Sequence, residues 1–169
     1  MADRTNGPVR QPVPDAYWDG GKWGEHMKQR IRNWSGPRLT GRRPRLVIED
    51  EQPALAISDF SLFKEAGFDV AFCSGPGDDP AACPLMHGQP CALLAGADAV
   101  LHGLDPALGI AAAIRRQYPE LPVVVEQRGG DMPAGADAAD KLPAGCVPLG
   151  YPCSVRGQIA AVCRAVWAG

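Results

Sequence analysis

From Arg45 onward, apolar residues come in short continuous blocks separated by polar turns. "RLVIE", "FDVAFC", "ADAVLHG", "LPVVVEQ" and "CVPLG" are five such blocks, and runs of this kind predict strands buried on both faces of a sheet. Helical patterns lie between several of them. "PALAISDFSLFKEAG" has helical character and stops at Gly67. "PALGIAAAIRRQYP" places Leu108, Ala111, Ala112 and Arg115 at i, i+3, i+4 and i+7, with Ile110 and Ile114 beside them. In "SVRGQIAAVCRAVWAG", Val155, Ile159, Val162, Cys163 and Val166 fall at i, i+4, i+7, i+8 and i+11, which predicts an amphipathic helix with Ser154 as its N-cap. Strands alternating with helices imply βαβ units with right-handed crossovers. The expected class is α/β, a doubly wound five-stranded parallel sheet.

Upstream the pattern is different. Residues 1–16 carry three prolines and almost no apolar periodicity, which reads as a disordered leader. Then Trp23, Met27, Ile31 and Trp34 follow at spacings of 4, 4 and 3, one face of a helix. Gly20 and Gly21 limit its start, and Gly36-Pro37 ends it. A helix with two Trp on one side must bury them, either on the domain that follows or on a partner or second copy. "SGPRLTGRRP" is a linker, so the chain divides into a basic arm at 1–44 and a domain at 45–169.

Composition sharpens this division. Of 169 residues, 46% are hydrophobic and 21% charged, as in ordinary globular proteins. The net charge of −2 conceals +6 over residues 1–45 and −8 over 46–169. A basic arm on an acidic domain folds back on it or reaches an acidic partner. No apolar run is long enough to span a bilayer, and the polar N-terminus lacks a signal-peptide core, so the expected location is the cytoplasm. With an acidic domain and no helix-turn-helix pattern, nucleic acid is not the expected partner.

In a doubly wound sheet, functional groups sit beyond the carboxyl ends of the strands. Those ends are Glu49-Asp50-Glu51, Cys73-Ser74, Gly103-Leu104, Glu126-Gln127 and Gly150-Tyr151. Five segments in order, "LVIEDEQPAL", "KEAGFDVAFC", "ADAVLHGLDP", "RRQYPELPVVV" and "GCVPLGYPCSVRGQIAAV", give residues 45–167 a resemblance to the receiver domain of bacterial response regulators, a flavodoxin-like fold. The resemblance implies an acidic pair that holds Mg²⁺, an aspartate that takes a phosphoryl group, a Ser/Thr that senses it and a Lys that compensates its charge. Carried over, Glu49 and Asp50 keep the acidic pair. The phosphoacceptor position is Gly103, the switch position is Gln127 (or Glu126 if the register slips by one), and the lysine position is Tyr151. Three of the four chemical elements are absent. Asp105 is the nearest substitute acceptor, but it lies two residues on, before Pro106, where its carboxylate is expected to be displaced. The Pro- and Gly-rich segment before the fifth strand has room for at most a turn of helix around 137–141, in place of a full helix.

Cysteine chemistry offers a second reading. "CSGPGDDPAACPLMHGQPC" brings Cys73, Cys83, His87 and Cys91 into nineteen residues. Three thiols and an imidazole suit zinc, thiols alone suit an iron–sulfur cluster, and two of them suit a redox disulfide. No CxxC knuckle is present, and Cys is also a common small buried residue in cytosolic proteins. Cys163 is expected in the core, and His102 as a satisfied core histidine. No P-loop, dinucleotide motif or nucleophile elbow occurs. The expected function is therefore a phosphorylation-independent receiver-like signalling module that is not an enzyme, holds no cofactor and acts through a protein partner or homodimer. A metal- or redox-sensing protein built on the cysteine loop is the alternative.

Overall fold

A computed structural model of the protein describes residues 43–77, 79–127, 142–150 and 152–167. Five strands form one sheet: β1 (Arg45–Glu49), β2 (Asp69–Cys73), β3 (Ala99–His102), β4 (Val123–Gln127) and β5 (Cys146–Gly150). All pairings are parallel, in the order β2-β1-β3-β4-β5. Among the described residues, three α-helices accompany them: α1 (Pro53–Glu65), α2 (Ile110–Gln117) and α3 (Val155–Trp167). The chain order reverses between β1 and β3, so a crevice opens beyond their carboxyl ends. The arm with Trp23, Met27, Ile31 and Trp34, the 128–141 segment and Tyr151 lie outside the described residues.

Alternation along the strands sends side chains to two cores. Val47, Val100, Val123 and Val125 face one layer with Ile110 and Ile114 of α2. Leu46, Ile48, Leu101 and Val124 face the other, with Phe63 of α1 and Val162 of α3. Among the described residues between β2 and β3, no α-helix covers the first layer, in keeping with the Pro- and Gly-rich sequence there. Three 3₁₀ turns, Pro80–Ala82, Pro84–His87 and Leu94–Gly96, do so instead, and Leu85 and Leu94 are their buried anchors.

Two helices depart from their sequence patterns. Pro106–Leu108 is a separate 3₁₀ turn, and α2 begins only at Ile110. Gly109 between them sits at φ +68, a conformation that glycine adopts without a Cβ penalty. The buried face of α2 is accordingly Ile110, Ala111, Ala113 and Ile114, and Ala112 turns partly outward. Arg115 leaves the helix to donate to the Leu121 carbonyl at 2.8 Å and the Ala144 carbonyl at 3.1 Å. Its guanidinium occupies the space that a Cβ on Gly145 (φ +81) would need, and so fixes the approach to β5. In α3, Ser154 caps the helix as expected, its Oγ accepting from Gly157 N at 3.2 Å. Val155 is exposed, not buried, while Gln158 turns inward. Cys163 is only half-buried, against the second core.

Candidate functional site

The first three strand ends carry a row of polar side chains. In the parallel register Glu49 lies beside Cys73 of β2 on one side and His102 of β3 on the other. All three belong to the face covered by α2 and the 3₁₀ turns, since they alternate with Phe72, Ile48 and Leu101. Glu49 is 4% exposed and His102 1%. Glu49 Oε2 lies 2.6 Å from His102 Nδ1, a bond closed within the protein interior. The second ring nitrogen, Nε2, is buried without a hydrogen-bond partner. His102 is therefore satisfied on one side only. Burial, and next the neighbouring Glu49, push the Cys73 thiol up to about 12.

Asp50 follows the strand and turns into the carboxyl-edge crevice. Its backbone N–H donates to the Cys73 carbonyl at 3.1 Å, and its Oδ1 accepts from Gln52 N at 2.7 Å, closing an Asx turn ahead of α1. The Gly103 amide donates to the Glu49 carbonyl at 2.7 Å, continuing the β1–β3 ladder by one residue. Leu104 then dives into the core at 2% exposure. Asp105 caps the Pro106–Leu108 turn, its Oδ1 accepting from Ala107 N at 2.8 Å.

These residues surround a cavity of about 330 Å³, lined by Asp50, Glu51, Gly103, Asp105 and Glu126 among others. The structure thus brings Asp50, Gly103 and Asp105 together. It adds Glu126 and leaves Glu49 behind in the sheet. Of the two candidates at the end of β4, Glu126 lines the cavity, and its Oε1 accepts from Gln158 Nε2 at 2.6 Å. Gln127 is half-buried and pairs in register with Gly150. The Glu49–His102 bond was not singled out from sequence. Its signal was the equal placement of the two residues at the ends of neighbouring parallel strands.

Cys73, Cys83 and Cys91 all lie partly buried against the first core. His87 turns away, its Nε2 lying 2.9 Å from the Ala81 carbonyl. Among the described residues no three His, Cys, Asp or Glu side chains are placed to hold a metal ion. All six cysteines are unpaired.

The all-parallel 2-1-3-4-5 sheet with its crevice at the β1/β3 switch point is the response-regulator receiver fold. Solved structures agree. A response regulator receiver domain protein from Clostridium thermocellum superposes with a TM-score of 0.55 at 16% identity, covering 73% of this chain and 94% of that one. A response regulator receiver protein from Sinorhizobium medicae gives 0.53 at 19% identity, with the same coverage. An orphan response regulator of H. pylori gives 0.50 at 15% identity, covering 77% of this chain and 99% of that one. No protein-family model and no curated protein sequence matches the chain. Among the described residues, no helix is long and apolar enough to cross a membrane.

Proposed function

We propose that this chain is a phosphorylation-independent receiver-like signalling module, working in the cytoplasm through protein–protein interaction and not by catalysis. The observation that carries this reading is the buried Glu49–His102 bond. A phosphoryl-accepting site needs a carboxylate pair that is free to hold Mg²⁺ and a carboxylate nucleophile beside it. Here the first carboxylate is spent on an imidazole, and drawing it out would leave His102 with both nitrogens unpaired in the core. The residue after β3 is Gly103, which has no nucleophile to offer. Asp105 lines the same cavity but is already used as a turn cap.

A receiver fold without phosphoryl chemistry is left with its surface. The surfaces proposed for a partner are the loops around Gly103, Gln127 and Tyr151 and the apolar stripe of Trp23, Met27, Ile31 and Trp34. The test is exposure of the full chain to an acyl-phosphate donor and Mg²⁺, followed by intact-mass and peptide mass spectrometry. The expected result is no added phosphoryl group. A phosphoryl group on Asp105 would overturn the reading.

A further inference from the structure

A larger concavity lies at the opposite end of the sheet, beside the starts of β3 and β4. It measures about 450 Å³, within the range of ligand-binding pockets, and its lining includes Leu94, Ala97, Tyr118, Pro119, Leu121 and Pro122. Its walls are preformed. The Tyr118 hydroxyl accepts from Cys91 N at 2.9 Å and donates to the Cys91 carbonyl at 3.3 Å, tying the β4 approach to the 3₁₀ layer. Two carboxylates, Asp98 and Glu120, also line it.

The chain runs into the domain beside this pocket. Arg45 N donates to Asp98 Oδ2 at 2.8 Å, and Asp98 N donates back to the Arg45 carbonyl at 2.8 Å. The first residue of β1 is thus clamped to a residue of the pocket wall. Ten residues, 35–44, separate Arg45 from Trp34. Fully extended, they reach at most about 35 Å, and a tether of this kind gives its ends an effective concentration of about millimolar. Upstream of the tether lies an apolar stripe, Trp23, Met27, Ile31 and Trp34, on a segment that also carries Lys22, Lys28, Arg30 and Arg32 against Asp19 and Glu25. Both the apolar and the charged character of this segment match the pocket.

We propose that residues 17–34 of this chain dock into the pocket at the amino edge of the sheet, with the Trp stripe on its apolar lining and the basic side chains toward Glu120. The occupant is the chain's own arm because the tether starts at the pocket wall and the segment supplies both matching chemistries. A partner that uses Trp23 and Trp34 must then displace them from the pocket first. The inference does not depend on whether the carboxyl edge takes phosphate, and its test reads a different part of the molecule.

The test is zero-length carbodiimide cross-linking of the full chain, mixed in equal parts from light and heavy isotope preparations. The expected product joins Lys22 or Lys28 to Glu120 or Asp98 within one chain. Trp23→Ala with Trp34→Ala should lower its yield about tenfold, the equivalent of about 1.4 kcal/mol. Exposed Glu120→Lys should remove the Glu120 product and also weaken docking. Amide exchange gives a second readout: in the double Trp variant, protection at residues 94–98 and 118–122 should fall roughly tenfold, with the strands unchanged. Products joining light to heavy chains would assign the pocket to a second copy. Those, or cross-links confined to other carboxylates, or unchanged protection in the double variant, would each overturn the proposal.

Discussion

The two ends of the parallel sheet differ in the balance of polar and apolar residues that line them. At the carboxyl edge, Asp50, Glu51, Asp105 and Glu126 line a small polar cavity, and Glu49 sits just beneath it in the sheet. At the amino edge, prolines and aliphatic residues line a larger one. The carboxyl edge is where a doubly wound fold ordinarily places its chemistry. Here one carboxylate oxygen of each of Glu49, Asp50, Asp105 and Glu126 already accepts a hydrogen bond within the protein, from His102, Gln52 N, Ala107 N and Gln158. The amino edge, ordinarily only the closed end of the sheet, has the open apolar surface. A ligand that approaches this edge must compete with those internal bonds. Recognition is then left to surface that is still uncommitted.

That contrast can be broken by substitution, and the largest effect is expected at Glu49. Glu49→Ala should cost about 3 kcal/mol in denaturant unfolding, because it strands a polar imidazole in the core. Glu49→Leu combined with His102→Leu should recover most of that loss, since both polar partners then go together. A double variant as unstable as the single one would show that the pair is not coupled. Next comes Gln158→Ala, which removes the donor to Glu126 Oε1 and should cost about 2 kcal/mol by the same measurement. At the amino edge, Tyr118→Phe removes the hydroxyl that accepts from Cys91 N, and a loss of about 1 kcal/mol is expected. A Tyr118 effect larger than that of Glu49 would reverse the comparison.

The smallest effect sharpens it. With its thiol pushed up to about 12, Cys73 should resist alkylation in the native protein at neutral pH, scored by peptide mass spectrometry. Raised in the folded state from an ordinary value of 9.0, the thiol keeps its proton longer there than in the unfolded chain. Its contribution is therefore complete below pH 9 and is lost as pH rises toward 12, so unfolding should become easier across that window. Rapid labelling of Cys73 at neutral pH would contradict its burial beside Glu49.

Much of this molecule was legible in sequence where a single physical signal dominates. "RLVIE" and "CVPLG" are β1 and β5 to the residue, but only β1 is buried throughout, as a strand covered on both faces must be. β5 is the edge strand and stays largely exposed, with Val147 at 39%, so its apolar run did not mean burial on both faces. Ser154 was legible as a cap, since a hydroxyl ahead of an apolar stripe has one common use. Signals that depend on a distant partner were harder to read. Gln158 interrupts the stripe of α3 and looks like a surface residue until Glu126 is known to lie opposite. The start of α2 was misplaced because "PAL" satisfies helical spacing, while Gly109 at φ +68 breaks the helix locally. The hydrogen bond between His87 Nε2 and the Ala81 carbonyl, six residues back, is likewise invisible in the residue spacing. Glu49 and His102 each stand at a strand end in the sequence, but pairing them needs the β1–β3 register, which no local pattern carries.

The central claim is that Glu49 belongs to His102 and not to a metal. Its most direct test is ¹⁵N and ¹H NMR of the His102 imidazole in the full chain, recorded before and after addition of millimolar Mg²⁺. The account predicts a strongly deshielded proton shared between Nδ1 and Glu49, slow to exchange and unmoved by Mg²⁺. A His102 ring that exchanges freely, or one whose Nδ1 signal shifts as Mg²⁺ draws Glu49 away, would contradict it.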